Sequence, residues 1–409
     1  MRATEKKLFE ASPDPKASGS KTVKQSLKNK SIAVATHYYG TGPGEALREF
    51  LPTRVANFFW LGYPLYPFDS AQGKPVIVES KIGRHRRSNE ARWRSMPELM
   101  RYGAEVRHTV RTIIKSGVYY DLFIGIDSLN ALAGIILKKL GRVERVAFYT
   151  IDFVPKRFTN PVLNSLYHRI DRLCVTQADV TWNLSPRMVE GREKVSNYPK
   201  RLRAKQRTMP IGVWWSKNKV APASKIKHNQ AIFVGHVTEK QGVQLVIEAI
   251  PQILRSIPNF HLEIVGDGPY RGALEQLVTD KKLERVVNFR GFVKSDRAVE
   301  QMVSRSGVTL ALYRKKDDPF TYYADPGKLK VYLAAGVPVI LTDLPASAQQ
   351  IVQAKAGMIC EYEPDSVAQA IIKILKNPVL AARYRRNARA FAKQFDWPTI
   401  FDQAFQSVI

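Results

Sequence analysis

The run Tyr322-Tyr323-Ala324-Asp325-Pro326-Gly327-Lys328-Leu329-Lys330-Val331-Tyr332-Leu333-Ala334-Ala335-Gly336-Val337-Pro338-Val339 combines residues suited to gripping an anion. Asp325 is a good N-cap residue, Pro326 suits the first helical position, and Gly336 suits a helix stop. The spacing predicts a short helix feeding a strand. Free N–H groups and the positive dipole end at its start, with Lys328 beside them, would hold a pyrophosphate. A capped structural helix with an incidental lysine would carry the same residues.

Two further loops suit phosphate. Gly235-His236-Val237-Thr238-Glu239-Lys240-Gln241-Gly242 follows an apolar strand and opens a helix. Glycine lets the backbone approach a ligand closely, and His236 or Lys240 would add charge; a histidine there equally serves as a solvated or capping residue. Gly266-Asp267-Gly268 ends another strand, where a plain tight turn has the same composition. Gly42 and Gly44 sit in a third such loop, Gly40 to Gly44. For proton transfer, Asp152 closes the strand Arg145 to Thr150 and is the first candidate, followed by Asp127 and His37. Asp152 also reads as a turn cap ahead of Pro155. No Asp-x-Asp metal motif occurs, because Asp317 and Asp318 are adjacent and lie in a loop.

These loops need strands and helices to hold them, and the chain supplies both in alternation. Ile32-Ala33-Val34-Ala35-Thr36 leads through a glycine-rich turn into a helical pattern, Glu45 to Leu51. Strands Asp121 to Ile126 and Arg145 to Thr150 follow, with helices to Leu140 and over Pro161 to Ala178. After Pro210-Ile211-Gly212 the cycle restarts: Ala231 to Val234, a helix Val243 to Leu254, then strands at 260–265, 287–289, 308–312 and 337–341. Strands separated by helices indicate parallel α/β sheets. The expected fold is therefore two Rossmann-like domains of about 180 residues, each with a parallel sheet, and a cleft between them. The boundaries are a basic tail over 1–30, an acceptor domain over 31–210 and a donor domain over 211–395. A closing helix over 396–409 would return to the first domain. Ligands in such sheets sit outside the carboxyl ends of the strands, where the glycine loops fall.

Composition excludes other classes. In 409 residues, 44% are hydrophobic and 24% charged, which is ordinary for globular chains. Two cysteines, Cys174 and Cys360, are too few for a disulfide framework and fit a reducing compartment. No run approaches the length of a spanning helix, and residues 1–30 lack the apolar region of a signal peptide. The net charge of +28 divides as +5 over 1–30, +14 over 31–210 and +9 over 211–409. Such an excess implies an anionic partner. Residues 81–111 mix arginines with Trp93, Met96, Leu99 and Met100, as an interfacial segment does, and Lys200 to Arg207 form a second basic cluster. A solvated charged surface would also account for either cluster alone. With the tail they point to a peripheral association with an anionic membrane. Nucleic acid is not the expected partner, because no recognition motif accompanies the charge.

Taken in order, VGH…KQGV, IVGDGPY, NFRGFV and ADPGKLKVYLAAGVPVI resemble the GT-B glycosyltransferases that use nucleotide sugars, family 4 and its relatives. The likeness covers about residues 205–395. Met209 to Gly212 resembles the inter-domain hinge, and the stretch with Trp397-Pro398 the returning helix. The first half matches more loosely, through Tyr149 to Asp152 and Ala178 to Met188. The resemblance implies a donor site of Gly235, His236, Lys240, Gly266, Gly268, Phe292, Tyr323, Asp325, Gly327, Lys328 and Tyr332. Gly42 and Gly44 would join it from the first domain. The family's paired glutamates fall at Tyr323 and Val331, and its loop arginine and lysine at His236 and Gln241. The KLxxY pattern without a glutamate resembles instead the glucuronosyltransferases that act on lipid-linked acceptors in exopolysaccharide synthesis, where a lysine at the position of Lys328 contacts the donor phosphate. The expected activity is metal-independent hexosyl or glycuronosyl transfer to a lipid-linked or glycan acceptor at the cytoplasmic membrane face. No cofactor is expected, the nucleotide-diphosphate sugar being a substrate. Lys328 and Asp152 would carry the catalysis, with the stereochemical outcome open. A non-catalytic nucleic-acid- or sugar-binding protein on the same scaffold is the alternative. An epimerase or a phosphorylase would share the fold.

Overall fold

Segments such as Leu122-Phe123-Ile124 and Ala231-Ile232-Phe233 are apolar at every position, and every one of these side chains is buried. Strands covered by helices on both faces require that pattern. A computed structural model describes residues 27–38, 42–64, 76–80, 86–88, 97–196, 198–314 and 319–409. Residues 1–26 of the basic tail, Gly40, Trp93, Met96 and the Asp317-Asp318 pair lie outside them, whereas its last residues belong to the fold, Leu27 being buried and Lys30 paired with Asp121. The described chain forms two units, one of residues up to 210 together with 398–409, the other of residues 211–397.

The N-terminal unit holds strands β1 (Ser31–Tyr38), β2 (Asn57–Pro64), β3 (Val76–Ser80), β4 (Arg86–Ser88), β5 (Tyr120–Ile126), β6 (Val143–Thr150), β7 (Val180–Asn183) and β8 (Gln206–Thr208). Its helices are α1 (Pro43–Phe50), α2 (Glu98–Lys115), α3 (Ser128–Lys139), α4 (Pro161–Gln177) and α5 (Pro186–Ser196). The sheet order is β4-β3-β2-β1-β5-β6-β7-β8. Val34 of β1 pairs with Trp60 on one side and Ile124 on the other, both in parallel register. The expectation of a wholly parallel sheet fails at one edge, since β2–β3 and β3–β4 are antiparallel. Five residues separate Ser80 from Arg86, too few for the crossover that parallel strands need.

A buried polar cluster locks this unit. Arg192 of α5 is wholly buried and donates to Asp171 on α4, Thr150 on β6 and Gln206 on β8. The Tyr198 hydroxyl also donates to Asp171. A buried guanidinium is tolerable only when its donors are matched in this way.

The C-terminal unit has the order β11-β10-β9-β12-β13-β14. These strands are β9 (Lys227–Val234), β10 (His261–Val265), β11 (Val287–Gly291), β12 (Ser306–Ala311), β13 (Val339–Leu341) and β14 (Gly357–Ile359), all parallel. Around them lie α6 (Val243–Ser256), α7 (Arg271–Asp280), α8 (Asp296–Arg305), α9 (Pro319–Tyr323), α10 (Gly327–Ala334), α11 (Ala348–Gln353), α12 (Pro364–Leu375) and α13 (Pro378–Ala392). The last helix, α14 (Trp397–Gln406), packs into the N-terminal unit. There Phe401 lies 5.0 Å from Phe50 and Phe405 meets Trp182 edge-on at 6.1 Å. Among the described residues no helix is long and apolar enough to cross a membrane.

Candidate functional site

In each sheet the strand order reverses once near the middle, between β1 and β5 and between β9 and β12. Diverging loops at such a point leave a crevice at the carboxyl ends of the strands. Both groups of predicted residues gather at these two places, one in each unit.

In the C-terminal unit the loop after β9 meets the start of α10. The Lys328 ammonium donates to Gln241 Oε1 at 2.6 Å and lies 4.3 Å from the Phe233 ring centre and 5.4 Å from that of Tyr313. Two aromatic faces and one amide thus hold a cation at the end of the central strand. Gly235 has φ +146°, and a Cβ there would stand 2.9 Å from Lys328 Nζ, so only glycine leaves the lysine its place. Lys240 points over the Phe320 ring at 5.6 Å, His236 and Phe292 are exposed, and Tyr323 stacks edge-on with Tyr322.

Several expected roles change here. Asp325 is not the N-cap: α10 starts at Gly327 with Pro326 as cap, and no side chain caps it. The Asp325 carboxylate is buried, accepts the Ile211 N–H at 2.9 Å and pairs with Lys330, itself buried. Gly327 forms the first turn and packs near Ile211. Tyr332 is likewise engaged by the protein itself. Its ring is fully buried, and its hydroxyl accepts the Val234 N–H at 2.8 Å and donates to the Val234 carbonyl. Gly266 and Gly268 serve backbone packing, since a Cβ on Gly266 would stand 1.9 Å from the Gly235 carbonyl and one on Gly268 2.3 Å from that of Val237. The two glycine loops are pressed together, which explains both glycines without a phosphate. In the N-terminal unit Gly44 is buried, its Cβ position 2.7 Å from Thr36 Oγ1, so it seats α1 against β1. Gly42 is the extended N-cap of α1.

The second group stands in the N-terminal unit. A pocket there is lined by His37 from the end of β1, Asp127 after β5, Asp152 after β6, and residues of α2 and α4. His37 Nε2 lies 3.0 Å from the buried Glu105 carboxylate, while its Nδ1 lies 3.2 Å from Asn130 Nδ2. If Asn130 donates to Nδ1, the ring proton sits on Nε2 and points at Glu105. With both nitrogens engaged, His37 is a poor general base. Asp152 forms an ion pair with Arg157 at 2.8 Å. The loop carrying that pair is held by α4, where Asn164 Oδ1 accepts the Arg157 N–H and the Tyr167 hydroxyl donates to the Asp152 carbonyl.

Asp127 is different. Its backbone has φ +66° and ψ 164°, a region populated almost solely by glycine. Its carboxylate accepts the Ile151 N–H at 3.3 Å. Burial, and next the charge of Asp152, push its carboxyl up to about 6 against the opposing pull of Arg157 and His37. A strained carboxyl that titrates near neutrality at a strand end has the attributes of a proton acceptor. Sequence reading ranked Asp152 above it, because the partner Arg157 and the strained backbone leave no local signature.

The basic segments are also clearer. Leu99 and Met100 open α2 with 55% and 64% of their surface exposed. Arg203 pairs with Glu193, Lys205 donates to the Thr176 and Ala178 carbonyls, and Arg207 to that of Ala204. Much of the second cluster therefore binds its own surroundings.

Comparison with known proteins gives this geometry a context. Residues 216–391 match the family described as glycosyl transferases, group 1. The chain is 27% identical over 328 residues to WcaL of Escherichia coli K12, named for colanic acid biosynthesis glycosyltransferase activity, covering 74% of this chain and 75% of that one. It is 25% identical over 181 residues to the phosphatidyl-myo-inositol mannosyltransferase of Mycobacterium tuberculosis, covering 42% of this chain and 44% of that protein. Among solved structures, Anabaena HepE in complex with UDP superposes with a TM-score of 0.67 at 16% identity, covering 92% of this chain and 99% of the other. The fold is GT-B. Over residues 216–391 the C-terminal unit is thus similar to the group 1 glycosyl transferases.

Proposed function

We propose that the protein transfers a sugar, hexosyl or glycuronosyl, from a nucleotide-diphosphate donor to a lipid-linked or glycan acceptor at the cytoplasmic membrane face. The observation that carries this reading is the Lys328 ammonium held beside Gly235 at the reversal point of the C-terminal sheet. There, at the positive dipole end of α10, it would meet the growing charge of the departing diphosphate without a metal. In the N-terminal unit Asp127 would take the acceptor proton. The acceptor oxygen bonds to the anomeric carbon, the bond from that carbon to phosphate breaks, and its electron pair leaves with the diphosphate. Asp152, held by Arg157, would orient an acceptor hydroxyl. The Lys328–Tyr332 spacing matches KLxxY, with the lysine as phosphate contact and the tyrosine as a brace on β9. The UDP in the HepE structure and the lipid substrate in the name of the mannosyltransferase make UDP and lipid-linked acceptors the first to try.

The test is calorimetric titration of UDP, GDP and ADP into the wild type and Lys328→Ala. One diphosphate should bind the wild type and bind the variant at least tenfold more weakly. Equal affinity, or no binding by the wild type, would remove the basis of the reading. Tight DNA binding without nucleotide affinity would favour the binding-protein alternative.

A further inference from the structure

The pocket of the N-terminal unit has two chemistries. Its polar lining includes His37, Asp127, Ser128 and Asp152, with Glu98, Arg101 and Arg157. The apolar part of its lining comes mainly from Leu99 of α2 with Leu163, Leu166 and Ile170 of α4. Leu99 and Leu166 line the pocket yet keep 55% and 43% of their surface in solvent, so they mark its mouth. Leu99 and Leu166 offer a glycan no hydrogen bond there, whereas they suit a hydrocarbon chain.

The two helices that carry these leucines continue the pattern. Met100 on α2 and Val162 and Leu173 on α4 are exposed, at 64%, 74% and 40%. The same two helices expose Arg107, Arg111, Lys115, Arg169 and Arg172. Apolar side chains among basic ones, on helices flanking an opening, suit the boundary layer of an anionic bilayer.

We infer that the pocket binds an amphiphile, its hydroxylated head against Asp127 and Asp152 and one hydrocarbon chain leaving between α2 and α4 past Leu99 and Leu166 into the membrane. This rests on the reading of the N-terminal unit as the acceptor half, and it commits that half to a lipid-linked acceptor.

The probe is a series of alkyl β-glucosides with four, six and eight carbons, titrated below their micelle concentrations. A fully buried methylene is worth about fourfold in affinity, so the dissociation constant should fall several-fold for each two carbons added. In Leu99→Ser/Leu166→Ser, at two solvent-exposed sites, that dependence on chain length should flatten. Affinity for a nucleoside diphosphate should stay as in the wild type, which also reports an intact fold. Equal affinities along the series, no binding, or an unchanged slope in the variant would each overturn the proposal. So would a variant that loses adsorption to phosphatidylglycerol vesicles while keeping the slope, since the rim would then only touch the bilayer. None of these readouts involves sugar transfer, so a wild type that shows the slope but transfers no sugar would sink the enzymatic reading alone.

Discussion

Lys328 and Gly235 are fitted to each other: the lysine Nζ stands 2.9 Å from the point where a Cβ on Gly235 would be. Gly235→Ala therefore meets two obstacles, a φ of +146° and the ammonium itself. We expect it to cost about 1–3 kcal/mol of stability from backbone strain. It should also weaken nucleoside-diphosphate binding at least tenfold, as the lysine is pushed aside. Melting temperature and calorimetric titration read the two effects separately. Binding left at the wild-type level would show that the placement of Lys328 does not matter to the ligand.

Asp127→Asn and Asp152→Asn distinguish a proton acceptor from an orienting group. Loss of a general base lowers turnover by about 10²–10⁴. That loss is expected for Asp127→Asn, with KM little changed. In the wild type, kcat/KM should rise with pH through about 6, the value of the Asp127 carboxyl. Asp152→Asn should act mainly on acceptor KM, and it should move the acidic limb to lower pH by removing a neighbouring negative charge. An acidic limb unmoved in both variants would assign the base elsewhere.

The same carboxyl makes a prediction about stability. A folded-state value raised from 3.8 to about 6 means the native state binds this proton more tightly than the unfolded chain. The resulting penalty is absent below about pH 4 and complete above about pH 6, where it amounts to about 3 kcal/mol. Asp127→Asn keeps an acceptor for the Ile151 N–H and removes the charge. It should be more stable than the wild type at pH 8, by an amount that fades on acidification to pH 4. Urea unfolding across that range would measure it. A difference that grows as the pH falls would contradict the assignment.

Arg192 is buried with Asp171 as its charge partner. Arg192→Met strands a buried carboxylate and should cost about 3–5 kcal/mol. Arg192→Met/Asp171→Leu should recover part of that loss, which equilibrium unfolding of both variants would show. A double variant less stable than the single one would mean that the shared partners Thr150 and Gln206 matter more than the charge.

The alternation of strand and helix was legible because parallel strands covered on both faces read as apolar runs. The same rule should have shown β2, whose Phe58 to Tyr63 is buried throughout, but Asn57 and the preceding turn disguise it as coil. The Lys328 segment was legible as a helix start, and its misplaced cap has a cause. Asp325 prefers an N-cap locally, yet Lys330 and the Ile211 N–H claim its carboxylate, the latter from 114 residues away. Tyr332 fits a sequence pattern with Lys328, while only the fold shows that its hydroxyl braces Val234. The N-terminal pocket was the least legible part. Its Glu105–His37 and Asn130–His37 contacts join residues 68 and 93 positions apart, and no motif links them.

The aromatic contacts of α14 have a consequence for synthesis. Phe50 and Trp182 are made well before Phe401 and Phe405, the residues that cover them. A ribosome must therefore make the whole of the second unit before the first can close its core. During that interval the nascent chain carries an uncovered aromatic surface that a chaperone would recognise, and deleting α14 would leave it bare for good.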